Sequence, residues 1–542
     1  MKKEQYRNVI LLLLGSLILN ACAVKKSISL VPKSSQSVGV ANPQSIIQKG
    51  KLNQFFSSVL VKEAQRKARK DAQNIAQLLN DISQNPAITG LTAKQDIFMF
   101  TLTQKNKKIN CLAFGIKDKQ KFTRLVKRLS EQGRLEKTKG YQRFIVPGEY
   151  GLGWDRKRAV LVLYPNSEYY INLGDKIHYL MKLKKKNQLQ NEKKFQAFLA
   201  NRKDISWWVA SYILEEQLNR KAFKEGTPPK SEKYDQTHLD FQDNQVSFKV
   251  KIDLDEDIQK LLNEYKLENA PSSLQSLLKY FPKKNLGLAS LSVNLSPYLQ
   301  NERLQKLLED TPDKKLERMV GLKTKEFLEQ LGGSLIISFL DVDQETVSYY
   351  DKKWDEDQEE YVIDSIPKTK EVSIPRIAVA VSIKNNAFMK RLMKSIPQEG
   401  ITYQDNYFKL NSGKQTFYLA YNQEAVYLTN HLESIQKFNQ GGYSEHLGKS
   451  SLQSTLMNSL FFVSLNINLD DYPPIVQKEI RNPKQDTDDF WEVWNKFAKT
   501  LEFSYLTQDS FQMALKMTQV EGNSLFNILS TIKDYYELSQ KK

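Results

Sequence analysis

The feature that most constrains this fold is that the chain reads twice. Gly115–Leu129 (GIKDKQKFTRLVKRL) lines up without a gap on Ser382–Ile396 (SIKNNAFMKRLMKSI), and five of the fifteen positions are identical. The surroundings repeat in the same order. Val31-Pro32-Lys33 precedes the strand-like run Ser37–Ala41, as Phe281-Pro282-Lys283 precedes Gly287–Val293, and Asn42 and Asn294 close the two runs. Trp154–Leu163 (WDRKRAVLVL) matches Tyr421–Leu428 (YNQEAVYL), each a turn leading into a strand, and Ile205–Ile213 (ISWWVASYI) matches Leu460–Ile467 (LFFVSLNI). Each half ends in an alternating hairpin, 239–253 about Asp243-Asn244 and 501–517 about Gln508-Asp509. Side chains of a strand alternate between faces, so period-two patterning flanked by turn residues marks strands. A long internal repeat means one structural unit used more than once.

Strands cluster and helices segregate within each half, and strict β-α-β alternation is absent. The expected fold class is therefore α+β: two homologous halves, each with a largely antiparallel sheet and packed helices. The expected divisions are a signal peptide over 1–21, a lipidated tether over 22–36, a first α+β repeat over 37–270 and a second over 271–542. Lys62–Ile82 reads as a helix with Lys62, Arg66, Lys67, Arg69 and Lys70 on or near one face. The segment near 349–370 reads as an acidic insertion, a solvated loop or extended hairpin carrying Asp351, Asp355, Glu356, Asp357, Glu359, Glu360 and Asp364.

The N-terminus carries an address. Lys2, Lys3 and Arg7 precede a charge-free, mainly apolar run from Val9 to Leu19. At about 1.5 Å per residue that run spans only about half a bilayer core, so it reads as a secretory signal and not a permanent span. It ends Leu19-Asn20-Ala21-Cys22, which resembles a bacterial lipobox. The expected cut falls between Ala21 and Cys22, with Cys22 taking a diacylglyceryl group by thioether linkage. Two or more acyl chains, at about 0.8 kcal/mol per buried CH₂, anchor stably where one does not. The bilayer, held through acylated Cys22, is then the first partner. No Asp follows Cys22. By resemblance to lipoprotein sorting rules, that implies an outer membrane, facing the periplasm or the cell surface.

The stretch Val31-Pro32-Lys33-Ser34-Ser35, followed by a strand closed by Asn42-Pro43-Gln44-Ser45-Ile46-Ile47, extends this reading. Coming shortly after a lipobox, it resembles a family of lipoproteins of about this length from Bacteroidota-type bacteria, classed as a domain of unknown function. That family has no established activity, so the resemblance implies no catalytic, cofactor-binding or metal-binding residue.

The rest of the sequence carries no catalytic or metal-binding signature. There is no Gly-x-Ser-x-Gly, no Ser-x-x-Lys beside Lys-Thr-Gly and no phosphate-cradling glycine loop. Gly332-Gly333-Ser334 reads as a helix C-cap and turn before a strand Leu335–Leu340. His178, His238, His431 and His446 form no ligand-spaced pair, and a zinc enzyme needs three protein ligands. The carboxylate groups at Asp341/Asp343/Glu345, at Asp253/Asp255/Glu256/Asp257 and at Asp486/Asp488/Asp489 lack EF-hand spacing and read as solvated turns and helix starts. Two cysteines make no disulfide scaffold, and Cys111 in an apolar strand reads as a buried small hydrophobe. Trp207-Trp208 and Phe461-Phe462 read as strand packing.

Net charge is +18, with a lysine run at Lys182, Lys184, Lys185 and Lys186. An exported protein seldom meets nucleic acid, so the charge reads first as a spread of solvated lysines with no specific partner, and otherwise as a face for an anionic envelope polymer or an acidic protein. The expected function is a membrane-anchored envelope lipoprotein with a binding or structural role, non-enzymatic and without cofactor. The rival is an envelope glycan or peptide hydrolase whose carboxylates converge only in space.

Overall fold

A computed structural model describes residues 27–52, 81–82, 85–104, 107–129, 133–163, 172–211, 233–254, 260, 270–300, 324–350, 352–355, 360–363, 366–395, 401–412, 415–481, 488–507, 509–518 and 522–539. The signal peptide, Ala21, Cys22 and most of the Lys62–Ile82 helix lie outside these residues. The chain forms two compact units, 1–254 with 517–542, and 255–516. The divide by packing falls before the expected 270/271 boundary, and the last 26 residues belong with the first unit rather than with the unit that precedes them in the chain.

In the first unit, β1 (Ser37–Ala41) lies between β2 (Ile97–Gln104) and β8 (Ile205–Ala210). On one side β2 pairs β3 (Lys107–Gly115), β3 pairs β7 (Arg158–Leu163), and β7, β6 (Tyr150–Trp154), β5 (Tyr141–Val146) and β4 (Arg134–Thr138) run as a meander. On the other, β8 pairs β9 (Tyr234–Gln242), which pairs β10 (Gln245–Lys251). Every one of these pairings is antiparallel. The β9–β10 turn is the expected Asp243-Asn244, with Asn244 at φ 58, a left-handed conformation that asparagine tolerates.

Both faces of this sheet are covered. On one, α2 (Lys119–Leu129) sets Phe122, Leu125 and Val126 against Phe114, Phe144, Leu152 and Trp154. Phe122 meets Phe114 and Trp154 edge-on at 5.9 and 5.6 Å between centroids. On the other face the turn Ser27–Leu30, α3 (Leu173–Met181) and α4 (Lys193–Ala200) cover Val38, Phe98, Phe100, Cys111, Val160 and Trp208. A short helix α1 (Pro43–Gly50) follows β1. Asn42 caps it, its Oδ1 accepting from Ser45 N at 3.1 Å, with Pro43 at the first helical position.

The second unit pairs its strands in the same order. Here β11 (Gly287–Ser292) lies between β12 (Leu331–Tyr349) and β20 (Phe461–Asn466). Then β12 pairs β15 (Lys368–Ile383), which pairs β19 (Ala425–Thr429), and the meander β19, β18 (Gln415–Tyr421), β17 (Tyr407–Ser412), β16 (Ile401–Gln404) completes that side. On the other side β20 pairs β21 (Ala498–Thr507), and β22 (Ser510–Met517) follows. The helix α6 (Ala387–Ser395) sets Met389, Leu392 and Met393 inward. In the gapless alignment these are the counterparts of Phe122, Leu125 and Val126. Helices α5 (Ala270–Leu278), α7 (Leu432–Asn439) and α8 (Gln453–Asn458) cover the opposite face with Leu277, Ile435 and Leu456.

Small details recur as well. Pro32 bridges Gln188 and Pro282 bridges His446. Ile116 N donates to Lys157 O and Ile383 N to Glu424 O, each at 2.9 Å. Asn294, like Asn42, accepts from an amide just downstream (Ser296 N, 3.1 Å).

Two expectations change. Gly332-Gly333-Ser334 lies inside β12 and not in a C-cap turn. Gly333 sits at φ 84 within a register shift between Leu331 and Leu335, and Ser382 Oγ accepts from Ser334 N at 2.8 Å. This bulge lets the strand start at Leu331, and it runs well beyond Leu340 because β15 pairs it as far as Tyr349↔Lys368. The acidic insertion therefore takes its hairpin form, with β13 (Lys352–Asp355) pairing β14 (Glu360–Ile363) near its tip.

Candidate functional site

In an antiparallel meander alternate turns fall at the same end of the sheet. The β4–β5 and β6–β7 turns of the first unit therefore stand side by side, and both are basic. The first, Thr138-Lys139-Gly140-Tyr141, closes tightly because Gly140 takes φ 96, a conformation side chains resist. The second is an Asx turn: Asp155 Oδ1 accepts from Lys157 N at 2.8 Å and Arg158 N at 3.1 Å. That arrangement turns Arg156 and Lys157 out to solvent.

Between these turns lies a cleft of about 710 Å³, completed by Lys119 at the start of α2, Ser29 and Gln190. Arg158 forms part of its frame. Its Nε donates to Asp155 Oδ2 at 2.9 Å, Nη1 to Ser29 Oγ at 2.5 Å and Nη2 to Met181 O at 3.5 Å. Tyr141, buried at the turn, hydrogen-bonds His178 Nδ1 at 3.0 Å. Lys119, Lys137, Arg156 and Lys157 form no ion pair among the described residues. Lys182, from the expected lysine run, stands close by, its Nζ 3.5 Å from where a Cβ on Gly140 would be. Several unpaired cations in one concave surface concentrate positive potential toward a single ligand. The other lining side chains, Thr138, Gln142 and Gln190, add neutral hydrogen-bonding groups. This is an arrangement for holding an anion.

A second polar cluster in the same unit brings carboxylates together, as the hydrolase reading requires. Lys49 Nζ lies 2.7 Å from Asp204 Oδ2 and 2.8 Å from Asp240 Oδ1. Asp204 also accepts from Ser45 Oγ at 2.5 Å and Phe241 N at 2.7 Å. Burial works against the Asp240 charge, but the Lys49 and Gln242 bonds outweigh it and hold the carboxyl down at about 2. Nearby, Ser206 Oγ and His238 Nδ1 are 2.9 Å apart, and burial followed by Lys203 and Lys249 pushes His238 below its usual range. Ser206 is fully buried and Asp204 only 2% exposed, so neither reaches a substrate from solvent. The cluster ties α1 to the strands beneath it.

The remaining sequence candidates resolve individually. Cys111 is buried, and burial pushes its thiol up to about 12, with Lys176 opposing weakly. His431 Nδ1 pairs Ser434 Oγ at 2.8 Å, and His446 Nδ1 accepts from Gly448 N at 3.1 Å. Asp343 and Glu345 both pair Arg376, and Asp253 accepts from Lys194 Nζ at 3.2 Å. Asp255, Glu256, Asp257 and Asp486 lie outside the described residues. Among the described residues no group of His, Cys, Asp and Glu is gathered for a metal, and no helix is long and apolar enough to cross a membrane. Of the aromatic pairs, Trp208 and Phe462 are core, while Trp207 is half-buried and Phe461 is 38% exposed, as alternation demands. The cationic cleft was missed in sequence. Its signal was two basic turns, Lys137–Gly140 and Asp155–Arg158, two strands apart in a meander.

The profile of a family described as domain of unknown function DUF4836 matches residues 28–525. The chain belongs to this family. The DUF4836 match spans both units but assigns no residue a role. No curated protein matches the chain. Among solved structures, crystal forms IV, III and I of TP0453 align with TM-scores of 0.27, 0.27 and 0.26 at 9%, 10% and 11% identity. They cover 45%, 46% and 45% of this chain and 89%, 91% and 88% of their own, a likeness too slight to place the fold.

Proposed function

We propose that this DUF4836 chain is a lipid-anchored, non-enzymatic binding protein of the bacterial envelope, whose cationic cleft takes an anionic envelope polymer. The cleft supports this most: Lys119, Lys137, Arg156 and Lys157 are grouped around one cavity and unpaired among the described residues. The charged N-terminal start, the apolar run and Leu19-Asn20-Ala21-Cys22 support export and acylation at Cys22. The lipobox together with the Val-Pro-Lys-Ser-Ser stretch supports a Bacteroidota-type lipoprotein, at an outer membrane facing the periplasm or the cell surface. The identical pairing order of the two units, with the gapless 115–129/382–396 alignment, supports descent from one duplicated α+β repeat. On that reading the repeats run 37–270 and 271–542.

The anchor is tested by intact mass and detergent partitioning of the native protein beside Cys22→Ala. Diacylglyceryl mass and detergent-phase recovery in the native protein alone are expected; a water-soluble native protein cut elsewhere refutes the anchor. The cleft is tested in the soluble Cys22→Ala background by calorimetric titration with dextran sulfate and uncharged dextran. Lys137→Glu/Arg156→Glu/Lys157→Glu should weaken dextran sulfate binding by about a hundredfold, roughly 2.7 kcal/mol. Lys384→Glu/Lys390→Glu/Lys394→Glu, the same charge change at exposed sites in the second unit, should weaken it by less than about fivefold. Equal losses in the two triple variants would mean diffuse charge attraction and no site.

A further inference from the structure

The meander turns that build the cationic cleft recur in the second unit with different chemistry. Tyr407 pairs Gln404 as Tyr141 pairs Thr138, and both tyrosines are buried. Asn406, at φ 65, stands where Gly140 stands, which puts Tyr403 in the place of Lys137. The partner turn is again an Asx turn: Asn422 Oδ1 accepts from Glu424 N and Ala425 N, each at 2.9 Å, as Asp155 accepts from Lys157 N and Arg158 N. Arg156 and Lys157 are replaced by Gln423 and Glu424.

A cavity of about 390 Å³ lies at these turns, lined by Tyr403, Phe408, Tyr421 and Phe438 with the amides Asn406, Asn422 and Asn439. No cationic or carboxylate side chain lines it. Tyr403 is 62% exposed and packs on Phe408 at 4.9 Å between centroids, while Phe408 and Tyr421 are nearly parallel, 10° apart. Asn406 Oδ1 accepts from Tyr403 Oη at 3.3 Å, and Asn439 Nδ2 donates to Asp405 O at 3.1 Å. Asn406 Nδ2 and Asn439 Oδ1 have no partner among the described residues, and both residues are exposed.

We propose that this cleft binds an uncharged hexose unit of an oligosaccharide. A pyranose offers an apolar C–H face to an aromatic ring and, at its edge, neighbouring hydroxyls that both donate and accept. The exposed Tyr403 ring, seated on the half-buried Phe408 beside amides with a free donor and a free acceptor, matches those two surfaces. A phosphorylated or sulfated ligand finds no cation here, and the contrast with the first cleft lies in the side chains of turns built alike. This inference does not rest on the anionic-polymer reading.

The test is saturation-transfer NMR on the full-length Cys22→Ala protein with malto-, cello-, manno- and galacto-hexaose, and with adenosine as a flat aromatic control. Binding of at least one hexasaccharide is expected, weakened about tenfold or more by Tyr403→Ala and less than about threefold by Tyr403→Phe. The Lys137→Glu/Arg156→Glu/Lys157→Glu protein should bind it unchanged, which separates failure of this site from failure of the cationic one. Tyr403 is exposed, so an unchanged melting temperature is the control for its variants. No transfer to any of the four sugars at about 10 mM, a concentration that would reveal even a millimolar Kd, overturns the proposal. So does sugar binding indifferent to Tyr403→Ala, or binding of adenosine alone.

Discussion

Lys49 offers a direct test of how the first unit holds α1 to its sheet. The perturbation is Lys49→Met, which keeps much of the stem and removes the charge lying between Asp204 and Asp240. Removing one partner of a fully buried pair costs about 3–5 kcal/mol, because the other charge is left uncompensated. Lys49 is 27% exposed and Asp240 13%, so water recovers part of that; Asp204, at 2%, is not rehydrated but keeps its bonds from Ser45 and Phe241. About 2 kcal/mol is the expected loss.

The sign with pH follows from Asp240. A carboxyl held at about 2 contributes stability that is present above its unfolded value near 3.8 and disappears as pH falls through 2. The full linkage value, roughly 2.4 kcal/mol, is halved to about 1 kcal/mol for solvent screening. Lys49 is raised despite burial, through its bonds to both carboxylates, so its share is intact below the ordinary lysine value and is lost only in strong alkali. Calorimetric melting of the Cys22→Ala protein, with and without Lys49→Met, is the assay. At pH 7 the variant should melt about 4–8 °C lower in the transition carrying the first unit, and the gap should roughly halve by pH 2. Lys49→Arg should keep most of the stability. A gap under about 0.5 kcal/mol at pH 7, or one of the same size at pH 2, would refute the coupling as drawn.

Two further outcomes follow from the first unit. Gly90 sits at φ 70, and a Cβ there would lie 2.3 Å from Asp118 O, so Gly90→Ala should cost about 2 kcal/mol or more in urea unfolding, while Gly148→Ala, at φ 72 with open space around it, should cost only about 1 kcal/mol. Cys111 is buried with its thiol pushed up to about 12, so the folded Cys22→Ala protein should not react with a disulfide reagent at pH 8 and should yield one thiol per chain in urea; fast reaction in the folded state would contradict the burial.

Much of the architecture was legible because it is written locally. The gapless match of 115–129 on 382–396 marks the two stretches that become α2 and α6, and Ser37–Ala41 and the Asp243-Asn244 hairpin show as alternation and turn chemistry. Where the reading failed, a distant partner decided. The Gly332-Gly333-Ser334 stretch has the composition of a turn, but Ser382, 48 residues away, accepts the Ser334 amide and draws the stretch into a strand. The C-terminal helix Ser524–Ser539 follows the second unit in the chain, yet Asn523 Nδ2 donates to Phe241 O at 2.8 Å and Lys51 Nζ sits 4.6 Å from the Phe526 ring, so it packs with the first unit.

The same division separates what each level determines about this protein. The sequence alone determines the α+β class, and it carries the basic start, the apolar run ending at Cys22 and the recurring pattern, because each depends on residues close together in the chain or on one pattern recurring along it. Only the tertiary structure decides the two clefts. Lys137 and Lys157 are twenty positions apart, and Tyr403 and Tyr421 eighteen, and they line one cavity in each case because antiparallel meander pairing brings alternate turns to one end of the sheet. That pairing is a long-range choice of register, and the character of each cleft, cationic in one unit and aromatic in the other, lies in side chains that no local periodicity marks.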